Sequence, residues 1–303
     1  MRALACPASL KGVLEAAQAA GAIAAGLWRA GAEAEELPVA DGGEGTAAVL
    51  GARVLRRCRV PDAFGRPREA PIYVLADGTA VVESAQVIPL DPDRRDVFAA
   101  SSRGLGELLA QVRSCPRLLV CLGGTANMDG GAGLLEVLDE LPAPTVVLCD
   151  VRARLLEAPR LFGPQKGALA EDIATLEQLL AATEHLRSYA KLAGAGAAGG
   201  LGAALASLGA ELVPGAQFVL DAVGFRERAS GADVVVTGEG TVDRTTFTGK
   251  APGEVVRVCE ELGVRCVLFG GRVADGVDAE ALSGDPARAR ADLEDLGFRL
   301  GSP

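Results

Sequence analysis

Three stretches of this chain place acids and glycines directly after apolar runs, and no other feature narrows the fold so far. They are Leu37-Pro-Val-Ala-Asp-Gly-Gly-Glu-Gly45, Gly123-Gly-Thr-Ala-Asn-Met-Asp-Gly-Gly131, and Gly238-Glu-Gly240 with Asp243 and Gly249-Lys250. Glycine at such junctions lets backbone and carboxylates approach a ligand unobstructed. Apolar runs ending this way are the strands of a parallel sheet, and open α/β sheets bind ligands at their carboxyl edge. The three loops predict one polar cleft handling an anionic ligand with a metal.

The rest of the composition agrees. Apolar residues make up 49% and aromatics 4%, so Ala, Val, Leu and Gly fill the core, as in helices packed on a parallel sheet. A length of 303 residues suffices for two domains. The formal charge of −10 argues against nucleic acid or an anionic membrane as partner, since both favour a basic face. It leaves room for a nucleotide held by local lysines and magnesium. The seven cysteines form no C-x-x-C pair and read as reduced core thiols of a cytoplasmic protein. The N-terminus lacks a secretory h-region, and the glycine-broken stretch 192–208 reads as a buried helix rather than a membrane span.

Along the chain, strands are predicted at Arg2–Cys6, Ala34–Val39, Asp233–Thr237, Arg265–Phe269 and Phe298–Gly301, with helices at Leu14–Arg29, Glu254–Leu262 and Ala287–Leu296. Joining the two ends gives a five-strand parallel sheet, with the loops 41–45, 238–243 and 270–272 on its carboxyl edge. The middle carries its own strands, with a hairpin around Ala76-Asp77-Gly78, strands at Leu118–Leu122 and Thr145–Cys149, and a long helix at Leu169–Leu192. The expectation is a discontinuous domain, 1–45 plus 226–303, with 46–225 inserted.

Several kinds of chemistry are absent or weakly signalled. There is no P-loop and no G-x-S-x-G elbow. His185, the sole histidine, lies in an amphipathic stretch and reads as structural. Gly194-Ala-Gly-Ala-Ala-Gly199 matches G-x-G-x-x-G but lacks a preceding strand. It reads first as a close-packed helix entry, with phosphate binding as the alternative; a nucleotide-linked oxidoreductase would rest on it alone. The acids carry more weight. Asp41, Glu44, Asp129, Asp150, Glu239 and Asp243 all sit in glycine loops or at strand ends. Single acids there often cap helices, but together they favour a metal or proton-transfer site. The 30 basic residues are nearly all arginine, yet Lys11, Lys166 and Lys250 adjoin glycines, where a compact ammonium suits phosphate or carboxylate binding.

These segments resemble the glycerate kinase family, of the type that phosphorylates D-glycerate at the 2-hydroxyl. Pro7-x-Ser9-x-Lys11-Gly12, Leu37–Gly45, Gly123–Gly131, Cys149-Asp150-Val151, Phe162-Gly-Pro-Gln-Lys-Gly167, Gly194–Gly200 and Thr237–Gly240 through Lys250 follow its motifs in order. The resemblance implies a flavodoxin-like α/β domain with a second mixed α/β domain inserted, and an active site between them. It also implies ATP, Mg2+ and a small hydroxy acid. On that reading Asp129, Asp150 and Lys11 are catalytic. Ser9, Lys166, Lys250, Gly123, Gly124, Thr125, Gly194 and Gly196 bind substrate or phosphate. Asp41, Gly42, Gly43, Glu44, Gly238 and Glu239 serve the nucleotide, and Asp243 and Glu239 the metal.

The chain departs from the family pattern at Ala8 for aspartate, at Asn127-Met128 for Thr-Asn, and at Thr245 for glutamine. It reads as shortened after Leu138 and as lacking the family's C-terminal helix. Loss of an acid and an amide gives the alternative of an impaired relative that binds nucleotide or hydroxy acid.

Overall fold

A computed structural model describes residues 1–302. The strands in chain order are β1 (Arg2–Ala5), β2 (Glu33–Glu36), β3 (Arg53–Pro61), β4 (Pro67–Val74), β5 (Ala80–Glu83), β6 (Leu118–Leu122), β7 (Thr145–Cys149), β8 (Glu211–Pro214), β9 (Val234–Val242), β10 (Arg265–Val273) and β11 (Glu280–Ala281). The chain divides into two compact units. The first joins Met1–Asp41 to the stretch from Ala216 onward; the second is Gly42–Gly215. The crossings fall at 41/42 and 215/216, where 45/46 and 225/226 were expected. Ala216 and Leu220 explain the second crossing, because both bury in the core of the first unit with Leu4, Val39 and Val235.

The first unit is a parallel sheet in the order β11-β10-β9-β1-β2. Counted within the unit, that is the flavodoxin-like order 2-1-3-4-5, whose ligand crevice lies at the carboxyl ends of its first and third strands, here β1 and β9. Val234, Val236 and Phe269 face the helices Ala16–Arg29 and Ala289–Gly301; Leu4, Cys6 and Val235 face the helix Ala251–Leu262. The fifth strand is Glu280–Ala281 rather than Phe298–Gly301, which continues the last helix. Leu293, Leu296 and Leu300 have helical spacing and pack on the Ile23–Leu27 face. Gly26 and Gly297 make that approach possible, since a methyl on either would lie within 2.2 Å of a backbone oxygen of the other helix. The last described element is therefore a helix, where a strand was expected at Phe298–Gly301.

The second unit is a six-stranded mixed sheet, β3-β4-β5-β6-β7-β8, antiparallel at β3-β4-β5 and parallel thereafter. Its parallel strands β6 and β7 are buried along their whole length, as continuous apolar runs require. The long helix expected to Leu192 spans only Asp172–Ala182. Thr183 turns out of helical geometry at ψ 91°, and Leu186 then buries beside Leu180.

Candidate active site

In the first unit, the loops after β1 and β2 and the ends of β9 and β10 border a cavity of about 380 Å³. Ser9, Lys11, Asp41, Glu239 and Lys250 line it, so five of the expected site residues come together here. Lys250 donates to both carboxylate oxygens of Glu239 at 3.3 Å, and the Thr246 hydroxyl donates to Oε1 at 2.8 Å. Gly238 lies behind the lining, with its Cα against Phe269, where a methyl would meet the Phe269 carbonyl oxygen at 2.1 Å.

Asp243 differs from expectation. It is outside the lining, and its Oδ1 accepts from the Thr245 amide at 2.7 Å and the Thr245 hydroxyl at 2.5 Å, capping the 3-10 turn Arg244–Thr248. The Thr245 hydroxyl first, and the neighbouring amides and Lys250 with it, hold this carboxyl below its ordinary range. Asp41 and Glu239 are thus the expected acids that face the cavity. No group of three or more His, Cys, Asp or Glu among the described residues could hold a metal. Magnesium needs no such cage, because one or two carboxylates and substrate phosphates suffice. Asp41 and Glu239 fit that requirement.

In the second unit, β6 runs into Gly123-Gly124 and β7 into Asp150. A Cβ on Gly123 would stand 2.6 Å from the Asp150 carboxylate and 3.4 Å from the Cα of Gly43. Only glycine can hold that place, so a bare backbone floor abuts an acid. Ser84 brackets Gly123, its hydroxyl 3.3 Å from both the amide and the carbonyl oxygen. Behind Thr125 lies Lys166, only 4% exposed, whose Nζ donates to the Asn127 carbonyl at 2.7 Å and to the Thr125 hydroxyl at 3.4 Å. Burial pushes this ammonium down to about 8, against the pull of Asp150 and Asp129.

The loop Gly42–Gly45 is pinned by Glu83, which the sequence reading missed. Its Oε1 accepts from the Ala47 amide at 2.7 Å, and burial raises its carboxyl above the ordinary range. Glu44 accepts from Gln86 Nε2 at 3.4 Å. Gly42, at φ 91°, backs onto Gly215, so an alanine there would be both strained and crowded.

Asp129 is not placed as a base. Its Oδ1 accepts from Asn127 Nδ2 at 2.9 Å and the Gly131 amide at 3.0 Å. Its Oδ2 accepts from the Ser102 amide at 2.8 Å, the Ser102 hydroxyl at 2.7 Å and the Gly133 amide at 3.2 Å. Five donors leave no lone pair for a substrate proton. This carboxylate ties its loop to Ser102.

Gly194 and Gly196 likewise serve packing, since a methyl would meet Cys149 Sγ at 2.7 Å on the first and the Arg154 carbonyl oxygen at 2.4 Å on the second. Gly199 and Gly200 pack the same segment against the 127–130 loop, where the Gly130 amide donates to the Gly199 carbonyl and Asn127 Nδ2 to that of Ala198. Asn127 Oδ1 is left buried without a donor. Cys149, beside Asp150, is pushed by burial up to about 12, which suits an inert thiol. The two departures Ala8 and Met128 face cores: Ala8 packs on the Leu4–Val235 cluster, and Met128, 2% exposed, sits with Leu155, Leu176 and Leu180.

The sequence model of the glycerate kinase family matches residues 3–141 and 139–287. The chain belongs to the glycerate kinase family. The glycerate kinase of Bacillus subtilis strain 168 is 33% identical over 90% of this chain and 86% of its own length. The glycerate 2-kinase of Escherichia coli K12 is 32% identical over 91% and 87%. A crystal structure from Salmonella typhimurium LT2, assigned as glycerate kinase 2, superposes with a TM-score of 0.76 at 29% identity, covering 99% of this chain and 97% of its own. This member of the glycerate kinase family is accordingly a phosphotransferase acting on an alcohol group. The two matched stretches meet at 139–141, beside Leu138, where the sequence reads as shortened.

Proposed function

We propose that the chain phosphorylates the 2-hydroxyl of D-glycerate, or of a closely related small hydroxy acid, with ATP and Mg2+. The observation that carries the acceptor side is Asp150 standing against bare Gly123 backbone, with the Lys166 ammonium behind the same loop. An acid beside backbone free of side chain can orient and deprotonate a hydroxyl, the task phosphoryl transfer sets for the protein. Asp150 takes that role, and Gly123, Gly124 and Thr125 seat the acceptor. Asp129 holds the loop.

The first-unit cavity takes the nucleotide. Lys11 and Lys250 face its phosphates, and Asp41 and Glu239 would hold magnesium, which supplies charge neutralisation when bound. The names of the relatives support the substrate class, and the packing of half-buried Ala8 and buried Met128 against apolar clusters supports a working enzyme. The test is ADP release with D-glycerate, glycolate and tartronate in the presence of magnesium. Turnover with D-glycerate is expected, and none with all three would overturn the reading.

Lys166 adds a pH prediction. Its ammonium is protonated below about 8, so turnover should fall as pH rises through that value. Lys166→Arg, which does not titrate in this range, should remove that alkaline limb. A limb unchanged in a folded, active variant would contradict the role. The same shift means the unfolded chain binds more protons between about 8 and 10.5, so this group makes the fold gain stability as pH rises across that window.

A further inference from the structure

The ladder between β9 and β10 outruns the rest of its sheet. β1 pairs with β9 only as far as Val236, whereas β9 and β10 remain paired to Val242 and Val273. This two-stranded extension forms one wall of the first-unit cavity, and its register sets Gly270 beside Glu239 and Arg272 beside Thr241. Glycine at 270 and 271 keeps the strand bare up to Arg272, which the motif reading passed over.

Arg272 is exposed, lines the cavity, and makes no side-chain hydrogen bond or ion pair with any described residue. Most cavity acids have other partners. Asp285 accepts from the Ala287 amide, Asp292 from Ser283 and Arg288, and Glu239 from Lys250 and Thr246. Lys11, which lines the same cavity, is equally without a side-chain partner among the described residues. In a chain of charge −10 these two open cations share one cavity with Lys250. A guanidinium presents a flat fork of donors that matches phosphate oxygens two at a time, and an ammonium acts as a point charge.

We infer that Arg272 is a polyphosphate-binding residue which, together with Lys11 and Lys250, fixes the phosphate chain of the nucleotide in the first-unit cavity and so sets nucleotide affinity. The inference rests on assigning that cavity to the nucleotide. It makes Arg272 a determinant of donor binding rather than of the hydroxy acid.

The experiment compares the full-length protein with Arg272→Ala and Arg272→Lys by calorimetric titration with ATP, inorganic tripolyphosphate and adenosine, alongside KM for ATP and for D-glycerate. Arg272→Ala should weaken ATP and tripolyphosphate about 10–100-fold, the loss of a charge-assisted pair. Arg272→Lys should recover part of it, while adenosine affinity and KM for D-glycerate stay within twofold. The side chain is exposed and unpaired, so melting should not change, and the binding loss cannot be laid to unfolding. ATP and tripolyphosphate affinities within twofold of native would overturn the inference, as would a loss confined to D-glycerate, which would make Arg272 a carboxylate ligand. A native protein that binds tripolyphosphate through Arg272 yet turns over no hydroxy acid would uphold this inference and sink the proposed activity. Normal glycerate kinase activity with an unaltered KM for ATP in Arg272→Ala would do the reverse.

Discussion

Asp150→Asn is expected to cut turnover with D-glycerate by about 10²-fold or more, the usual scale for a lost acid–base group. The amide keeps the shape of the carboxylate against Gly123, so the loop should keep its path. Affinity for ATP should change little, because the nucleotide is assigned to the cavity of the other unit. Thermal stability should stay within a few degrees. Steady-state kinetics and a melting curve check this together. Near-native turnover in a well-folded variant would remove Asp150 from the chemistry.

The second large effect falls on stability. Asp129→Asn puts an amide where two carboxylate oxygens accept five hydrogen bonds, so at least two donors lose their acceptor. Each such loss costs about 1–3 kcal/mol, which together lowers Tm by roughly 5–15 °C. Turnover per folded molecule, measured well below the melt, should remain within about threefold, far from the 10² of a lost base. An unchanged Tm with collapsed turnover would restore Asp129 as the base. The reason for preferring the structural role is geometric: Ser102 saturates Oδ2 with both its amide and its hydroxyl.

That partner explains where sequence reasoning ran out. The motif Gly123–Gly131 located the loop and its acid, but Ser102 lies far upstream on the start of another helix, and nothing local links the two. Glu83 is a similar case. It ends a buried strand, and only the fold shows that its carboxylate receives the Ala47 amide at the loop Gly42–Gly45. Signals carried by local spacing fared better. The apolar runs Leu118–Leu122 and Thr145–Cys149 are strands with those limits, and Asp41 and Glu239, from two of the acid–glycine loops, line one cavity, whereas the third loop, Gly123–Gly131, belongs to the other unit. Their legibility comes from the parallel sheet itself, which sends every strand's carboxyl end to the same edge. The last element was misread because Phe298–Gly301 is short and apolar. Its Leu293–Leu296–Leu300 spacing, which is helical, is the signal that was available. Arg272 carried no motif, and its exposure to the cavity depends on the register of β9 with β10.

We propose that this chain moves a phosphoryl group from ATP to the 2-hydroxyl of D-glycerate. The most direct measurement is the phosphorus NMR spectrum of the product formed from D-glycerate, ATP and magnesium. ADP together with a phosphomonoester on carbon 2 is expected, in equal amounts, and neither in the Asp150→Asn reaction over the same time. A phosphomonoester on carbon 3, or ATP left intact by a protein that still binds it, would contradict the proposed reaction.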